Sequence, residues 1–357
     1  MKKTINDLVI MGLLVVCFVC FCAGNGYGEI EVGDHFPAMR FDLTLQKMSS
    51  HYFGIKKAKE IDISEINAQV LIVEVLSVYC VSCMSQTAYD RELFSMILTN
   101  EKTAGKVKMI GVAAGNNLRE VNNFIEEFSV PYPVFPDYKF FHYDMVGQVR
   151  TPFKLFLLKK RDKGFEVVKT EAGLNENVKE TFRTIVAILE GEYQKEKEEE
   201  PVLSQPESID SALVVAYLQE WLSQRGETDT VKELFEDSGR VVYKIGSDED
   251  IYAIVVNRLS TCDVCAAVQF IYMIDRSGNV IDLIPIHLSK LYNERFNEDD
   301  IAEIKERIVS RNVRETIPFN SEVDAVSSAT ITSGLIYDSI NKGKRIFDLL
   351  LEKGFIK

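Results

Sequence analysis

The sequence predicts an α/β protein in two parts, a first domain of α/β layers around a mixed sheet and then a smaller α+β domain. Three observations predict it. In the first half, β-branched apolar runs alternate with helical patterns in βαβ order and close with a hairpin and a helix. In the second half, short apolar runs follow one another across tight turns. Between them, residues 193–208 carry a charge block and two prolines with almost nothing to bury, which reads as a linker. The boundaries that follow are 29–193 for the first domain, 194–208 for the acidic linker and 209–357 for the second domain.

The chain begins with Lys2 and Lys3 and then an unbroken apolar run of 15 residues, 8–22, followed by small residues up to Gly28. Charge, apolar run and small residues in that order read as a secretory signal over 1–28, and the run is shorter than the roughly 20 residues that span a bilayer comfortably. The expected location is extracytoplasmic, periplasmic or cell-envelope, with an uncleaved membrane anchor as the alternative. The formal charge of −13 argues against nucleic acid as a partner. Of the seven cysteines, Cys17, Cys20 and Cys22 lie in the apolar run. Cys80, Cys83, Cys262 and Cys265 remain, as two pairs of identical spacing, and an even count suits an oxidising compartment.

In the first domain, residues 70–78 read as a buried strand, 80–99 as a helix, 107–113 as a strand and 118–128 as a helix. Residues 153–158 and 165–170 pair as a hairpin across a polar turn, and 177–189 close with an amphipathic helix. In the second domain, 209–223 read as an amphipathic helix, and 241–245, 251–256, 268–274 and 280–285 as antiparallel strands. A last helix runs to Lys353 and stops at Gly354.

Cys80 stands where the apolar strand gives way to the helix, so the unpaired amides and positive dipole end there would lower its thiol pKa and make it a nucleophile. Cys83, three residues on, can attack a mixed disulfide formed at Cys80 and release the reduced partner. A zinc site needs further ligands, and only His35, His51, His142 and His287 are on offer, without a spacing of their own, so no metal is expected. Haem attachment is excluded because Met84 follows Cys83 and Ala266 follows Cys265. For Cys262 and Cys265 a structural disulfide and a second redox pair both stay open.

Residues 31–193 resemble the thioredoxin superfamily, and most of all its exported, membrane-tethered reductases. The resemblance rests on Cys80 and Cys83, on Thr151-Pro152 before a strand, and on Glu74 six residues ahead of Cys80. It implies a thioredoxin-like fold, a cis Pro152 lining the substrate groove and a buried Glu74 that exchanges a proton with Cys83. The implied partners are a protein disulfide or dithiol substrate and an upstream membrane electron donor. Tyr79 replaces the family's tryptophan, and Ala88 its proline. The peroxiredoxin pattern fails at Ser77 and Val73, where threonine and proline are wanted.

From residue 241 onward the chain resembles the FMN-binding-type domains of sodium-pumping NADH:quinone reductase and Rnf complexes, through Asp324, Ser327, Ala329 and Thr330. That resemblance implies FMN joined through its phosphate to Thr330 by a flavin transferase, at a helix start that suits phosphate. Ser328 stands where the family has glycine. Read from the residues alone, the same segment could be a helix cap. The sequence therefore points to an extracytoplasmic thiol–disulfide oxidoreductase using Cys80 and Cys83, coupled to the second domain. The alternative is a flavin-bearing electron carrier whose thioredoxin-like part only docks a partner.

Overall fold

The computed structural model describes residues 30–45, 52–54, 58–161, 164–193, 206–246 and 250–356. The expected signal at 1–28 and most of the expected linker lie outside the described residues. Strands β1 (Arg40–Asp42) and β2 (Glu60–Asp62) form a small antiparallel ribbon. The first large sheet contains β3 (Val70–Leu76), β4 (Val107–Ala114), β5 (Val134–Asp137), β6 (Phe153–Lys160) and β7 (Gly164–Ala172) in the order β5-β4-β3-β6-β7. Strands β3, β4 and β5 run parallel, while β6 and β7 add antiparallel. Every residue of β3 is buried, as befits a central strand with both faces covered.

Helix α1 (Val81–Thr99) follows β3 directly, and α2 (Leu118–Phe128) starts on a capping box made by Asn117 and Glu120. A short α3 (Phe141–Met145) precedes β6, and α4 (Val178–Glu190) ends at Gly191, whose φ of 72° is the left-handed conformation that stops a helix. The mixed sheet, the βαβ start, the closing hairpin and helix, and the cis peptide at Thr151-Pro152 make the thioredoxin-like arrangement expected from the sequence.

After α5 (Ser211–Gln224), five antiparallel strands follow as a meander: β8 (Val231–Asp237), β9 (Arg240–Ile245), β10 (Ile251–Arg258), β11 (Val268–Ile274) and β12 (Val280–His287). Helix α6 (Glu298–Ile308) leads through an irregular stretch to α7 (Thr330–Asn341) and α8 (Gly343–Glu352). The expected single C-terminal helix is therefore two, broken at Lys342-Gly343. A side chain at Gly343 would place its Cβ 2.5 Å from the Tyr272 hydroxyl, so the backbone closes on β11 there in a way only glycine allows.

Alternation along the strands sorts the core. Val70, Ile72 and Leu76 face α1 and α4, whereas Leu71, Val73 and Val75 face the other way. On the second sheet, Tyr243, Ile245, Ala253 and Val255 pack on Val214, Leu218 and Trp221 of α5. The remaining faces of the two sheets belong to one continuous apolar cluster that includes Phe140, Tyr143, Leu335 and Ile336. The two parts of the chain are thus packed together through a shared core.

Candidate functional site

Cys80 occupies the N-cap of α1 in extended conformation, and its Sγ accepts the Cys83 amide at 3.4 Å. The same sulfur reaches the Thr151 carbonyl at 3.4 Å, beside the cis peptide to Pro152. Strand β3, α1 and the turn ahead of β6 thus converge on one point, where the sequence places the pair and the proline.

The second pair arrives at that same point. Residues 261–263, between β10 and β11, lie along Thr151 as a parallel bridge. The Thr151 amide donates to the Thr261 carbonyl at 2.5 Å, the Asp263 amide donates to the Thr151 carbonyl at 3.1 Å, and the Thr151 hydroxyl donates to the Thr261 carbonyl at 2.8 Å. Arg150 adds a hydrogen bond from its guanidinium to the Asp263 carbonyl at 2.9 Å. The sulfurs of Cys80 and Cys262 and a carboxylate oxygen of Asp263 all lie within 4.8 Å of one another. All four thiols are free, and they form a chain of neighbours in the order Cys83, Cys80, Cys262, Cys265.

This contact reverses one expectation. A helix-start Cys80 should have a lowered thiol pKa, yet it is 0% exposed, and its pKa is pushed up to about 12, first by the Cys262 thiol against it and also by burial. Burial, and then Cys80, raise Cys83 well above the ordinary thiol value. Cys262 is pushed to about 12, chiefly by the thiol of Cys265. Cys265 is the exception: its hydrogen bond with Cys262 lowers its pKa, and it is only partly buried.

Glu74 is buried, and burial, with Asp90 beside it, raises its pKa to about 8. The Tyr132 hydroxyl donates to Glu74 at 2.5 Å, and Lys154 lies 3.8 Å from Glu74 and 3.0 Å from Asp90. Burial opposes the Lys154 ammonium, but the two carboxylates outweigh it and raise its pKa. Among the described residues no hydrogen bond joins Glu74 to Cys83; the carboxyl is held inside its own buried network.

The four residues of the expected flavin signature sit at the start of α7. Thr330 is its first residue and Ala329 its N-cap. Ser328 has φ of 60°, so serine adopts the left-handed backbone that glycine would take more readily. Asp324 is engaged locally, its carboxylate accepting the Asn320 amide at 2.7 Å and its carbonyl accepting Arg307 at 2.9 Å. Ser327 is exposed. Thr330 lines a narrow cavity of about 10 Å³, to which the first domain contributes Ser77, Tyr79, Asn116 and Phe140.

Sequence reasoning names Thr151 only as the residue before Pro152 and does not single out Thr261 or Asp263 as parts of the site. Asp263 lies inside the second cysteine pair, but no local pattern announces that this pair meets the first.

No model of a known protein family matches the chain, and none of the curated proteins does. Among solved structures, the chain is similar to the thioredoxin domain of a thiol-disulfide oxidoreductase from Bacteroides vulgatus, with 14% identity and TM-score 0.33 over 44% of this chain and 99% of that one. StoA from Bacillus subtilis shows 16% identity and TM-score 0.31 over 42% and 96% of the two chains. A secreted thiol-disulfide isomerase from Corynebacterium glutamicum shows 16% identity and TM-score 0.34 over 43% and 85%.

Proposed function

We propose that the chain is an extracytoplasmic thiol–disulfide oxidoreductase whose second domain carries the exchange partner of the first, so that electrons pass between the Cys80/Cys83 and Cys262/Cys265 pairs within one molecule. The observation that carries this reading is the Cys80–Cys262 contact, held in register by the Thr151 bridge. Main-chain pairing at the edge of a groove is a common way to bind an extended peptide, and residues 261–263 occupy that place. The extracytoplasmic part rests on the charged and apolar start of the sequence.

The exchange balances. The Cys80 thiol loses its proton and attacks the Cys262 sulfur of a Cys262–Cys265 disulfide, and the Cys265 thiolate leaves. Its lowered pKa makes it the better leaving group. Cys83 then loses its proton and attacks the Cys80 sulfur, displacing the Cys262 thiolate. Two electrons and two protons have moved to the second pair, and the first pair ends as a disulfide. The same steps run in reverse when the first pair starts oxidised. Oδ1 of Asp263 is buried without a hydrogen-bond partner, and this carboxylate lies beside both reacting sulfurs, within reach of one bridging water, where it can accept and return the proton. Flavin takes no part in the exchange between the two pairs.

The test is the reduction of the Cys80–Cys83 disulfide by an external dithiol, followed by quenching and mass spectrometry. Because Cys80 is buried, the Cys262→Ser, Cys265→Ser double variant should reduce this disulfide at least tenfold more slowly than the wild type. Equal rates would show that the first pair is served directly and would end the relay reading.

A further inference from the structure

If electrons move between two buried pairs, they must enter and leave the molecule at a sulfur that a partner can touch. Cys80, Cys83 and Cys262 are 0%, 1% and 2% exposed, so none of them can meet an external disulfide in this arrangement. Cys265 is partly exposed.

Its surroundings are built for contact. Val264, immediately before it, is 61% exposed. Asn293 ties this loop to the one at 291–293, its side chain donating to the Val264 carbonyl at 3.0 Å and accepting the Ala266 amide at 2.7 Å. That second loop holds out Leu291 and Tyr292, and Tyr292 is 85% exposed at φ 59°. A non-glycine residue in the left-handed region is uncommon, and here it goes with a large ring held in solvent, one residue from the Asn293 that binds the cysteine loop.

We infer that Cys265 is the port of the relay, and that Val264, Leu291 and Tyr292 form an apolar rim on which a protein disulfide docks. This rests on the exchange reading above and names its outside partner. Three features select a protein over a small disulfide: the rim is apolar, it is built from two loops pinned together, and its Val264 follows directly on the interdomain contact at residues 261–263. The Cys265 thiolate attacks one sulfur of the partner disulfide and the other partner sulfur leaves as a thiolate. Cys262 loses its proton and attacks Cys265, which releases the partner's second thiolate. The partner gains two electrons and takes up two protons as its thiolates are protonated, and Cys262–Cys265 becomes the disulfide that Cys80 can reduce.

The experiment uses the full, reduced chain in two arms. With limiting iodoacetamide and peptide mass spectrometry, Cys265 should be alkylated at least tenfold faster than Cys80, Cys83 or Cys262. Equal or faster labelling of Cys80 would overturn the port. In the second arm, the Cys262→Ser variant is mixed with insulin or with oxidised glutathione. A mixed disulfide to insulin should accumulate at Cys265, and Tyr292→Ala should lower the insulin-to-glutathione rate ratio about fivefold. An unchanged ratio would show that the rim recognises no protein, and a mixed disulfide at Cys80 would move the port to the first domain. The relay itself is read separately, by trapping Cys80 to Cys262 without any external disulfide, so either idea can fail alone.

Discussion

Thr151 and Cys262 are partners in a parallel bridge that joins the turn ahead of the first domain's β6 to a loop of the second domain. The amide and carbonyl of Thr151 are both used in it, the one donating to Thr261 and the other accepting from Asp263. Because the same Thr151 carbonyl also contacts the Cys80 sulfur, a single residue sets the register between the two cysteine pairs.

Asp263 should move the proton in the exchange between pairs. Asp263→Asn keeps shape and main-chain pairing but removes the acceptor, and general-base groups contribute roughly 10²–10⁴-fold to such steps. Stopped-flow measurement of exchange between the pairs should show a loss of at least about tenfold near neutral pH, recovered in part as hydroxide takes over at higher pH. An unaltered rate and pH profile would assign the proton elsewhere.

Glu74 should make stability fall with rising pH. Its folded pKa of about 8 lies above its ordinary value of 4.5, so the folded state holds a proton that the unfolded chain gives up. The stabilisation is fully present below about 4.5 and is lost as pH rises toward 8, at no more than about 1.4 kcal/mol per pH unit. Urea midpoints measured across this window should slope downward for the wild type and flatten for Glu74→Gln. Equal slopes would mean that Glu74 is already ionised in its network with Lys154.

Gly115 should control how tightly the two parts close. Its φ is +73°, and a Cβ there would stand 2.5 Å from the Phe140 ring, which also lies 5.8 Å from Arg258 and packs towards Gly334. Gly115→Ala should cost on the order of 1–3 kcal/mol. It should also raise the alkylation rate of Cys80 severalfold by loosening the seam, with far-ultraviolet circular dichroism unchanged. Cys80 labelling as slow as in the wild type would show that this contact does not hold the domains together.

Much of the fold was legible because its signals are local. The apolar run that became β3, Cys80 at the helix start and Pro152 before β6 each follow from neighbours in the chain. Strand β8 was not anticipated, because its alternating charges describe a half-exposed edge and its pairing with β9 supplies the missing stability. Strand β5 is a four-residue edge containing Pro136, too short for a pattern. Helix α6 was overlooked although Asn297 and Asp300 form a capping box that the sequence displays. The identical spacing of the two pairs suggests an exchange between them, but no local signal shows that Cys80 and Cys262 are the sulfurs that meet, since 182 positions separate them and only the shared core brings them together. The raised Cys80 pKa follows from that contact and was hidden with it.

The central claim is that Cys80 and Cys262 exchange directly. The Cys83→Ser, Cys265→Ser variant leaves those two thiols as the only cysteines of the described chain. Mild oxidation of the dilute protein, followed by digestion and mass spectrometry, should give an intramolecular Cys80–Cys262 disulfide in nearly all molecules, and the product should remain monomeric. Both thiols remaining free, or intermolecular dimers forming in place of the internal bond, would contradict the account.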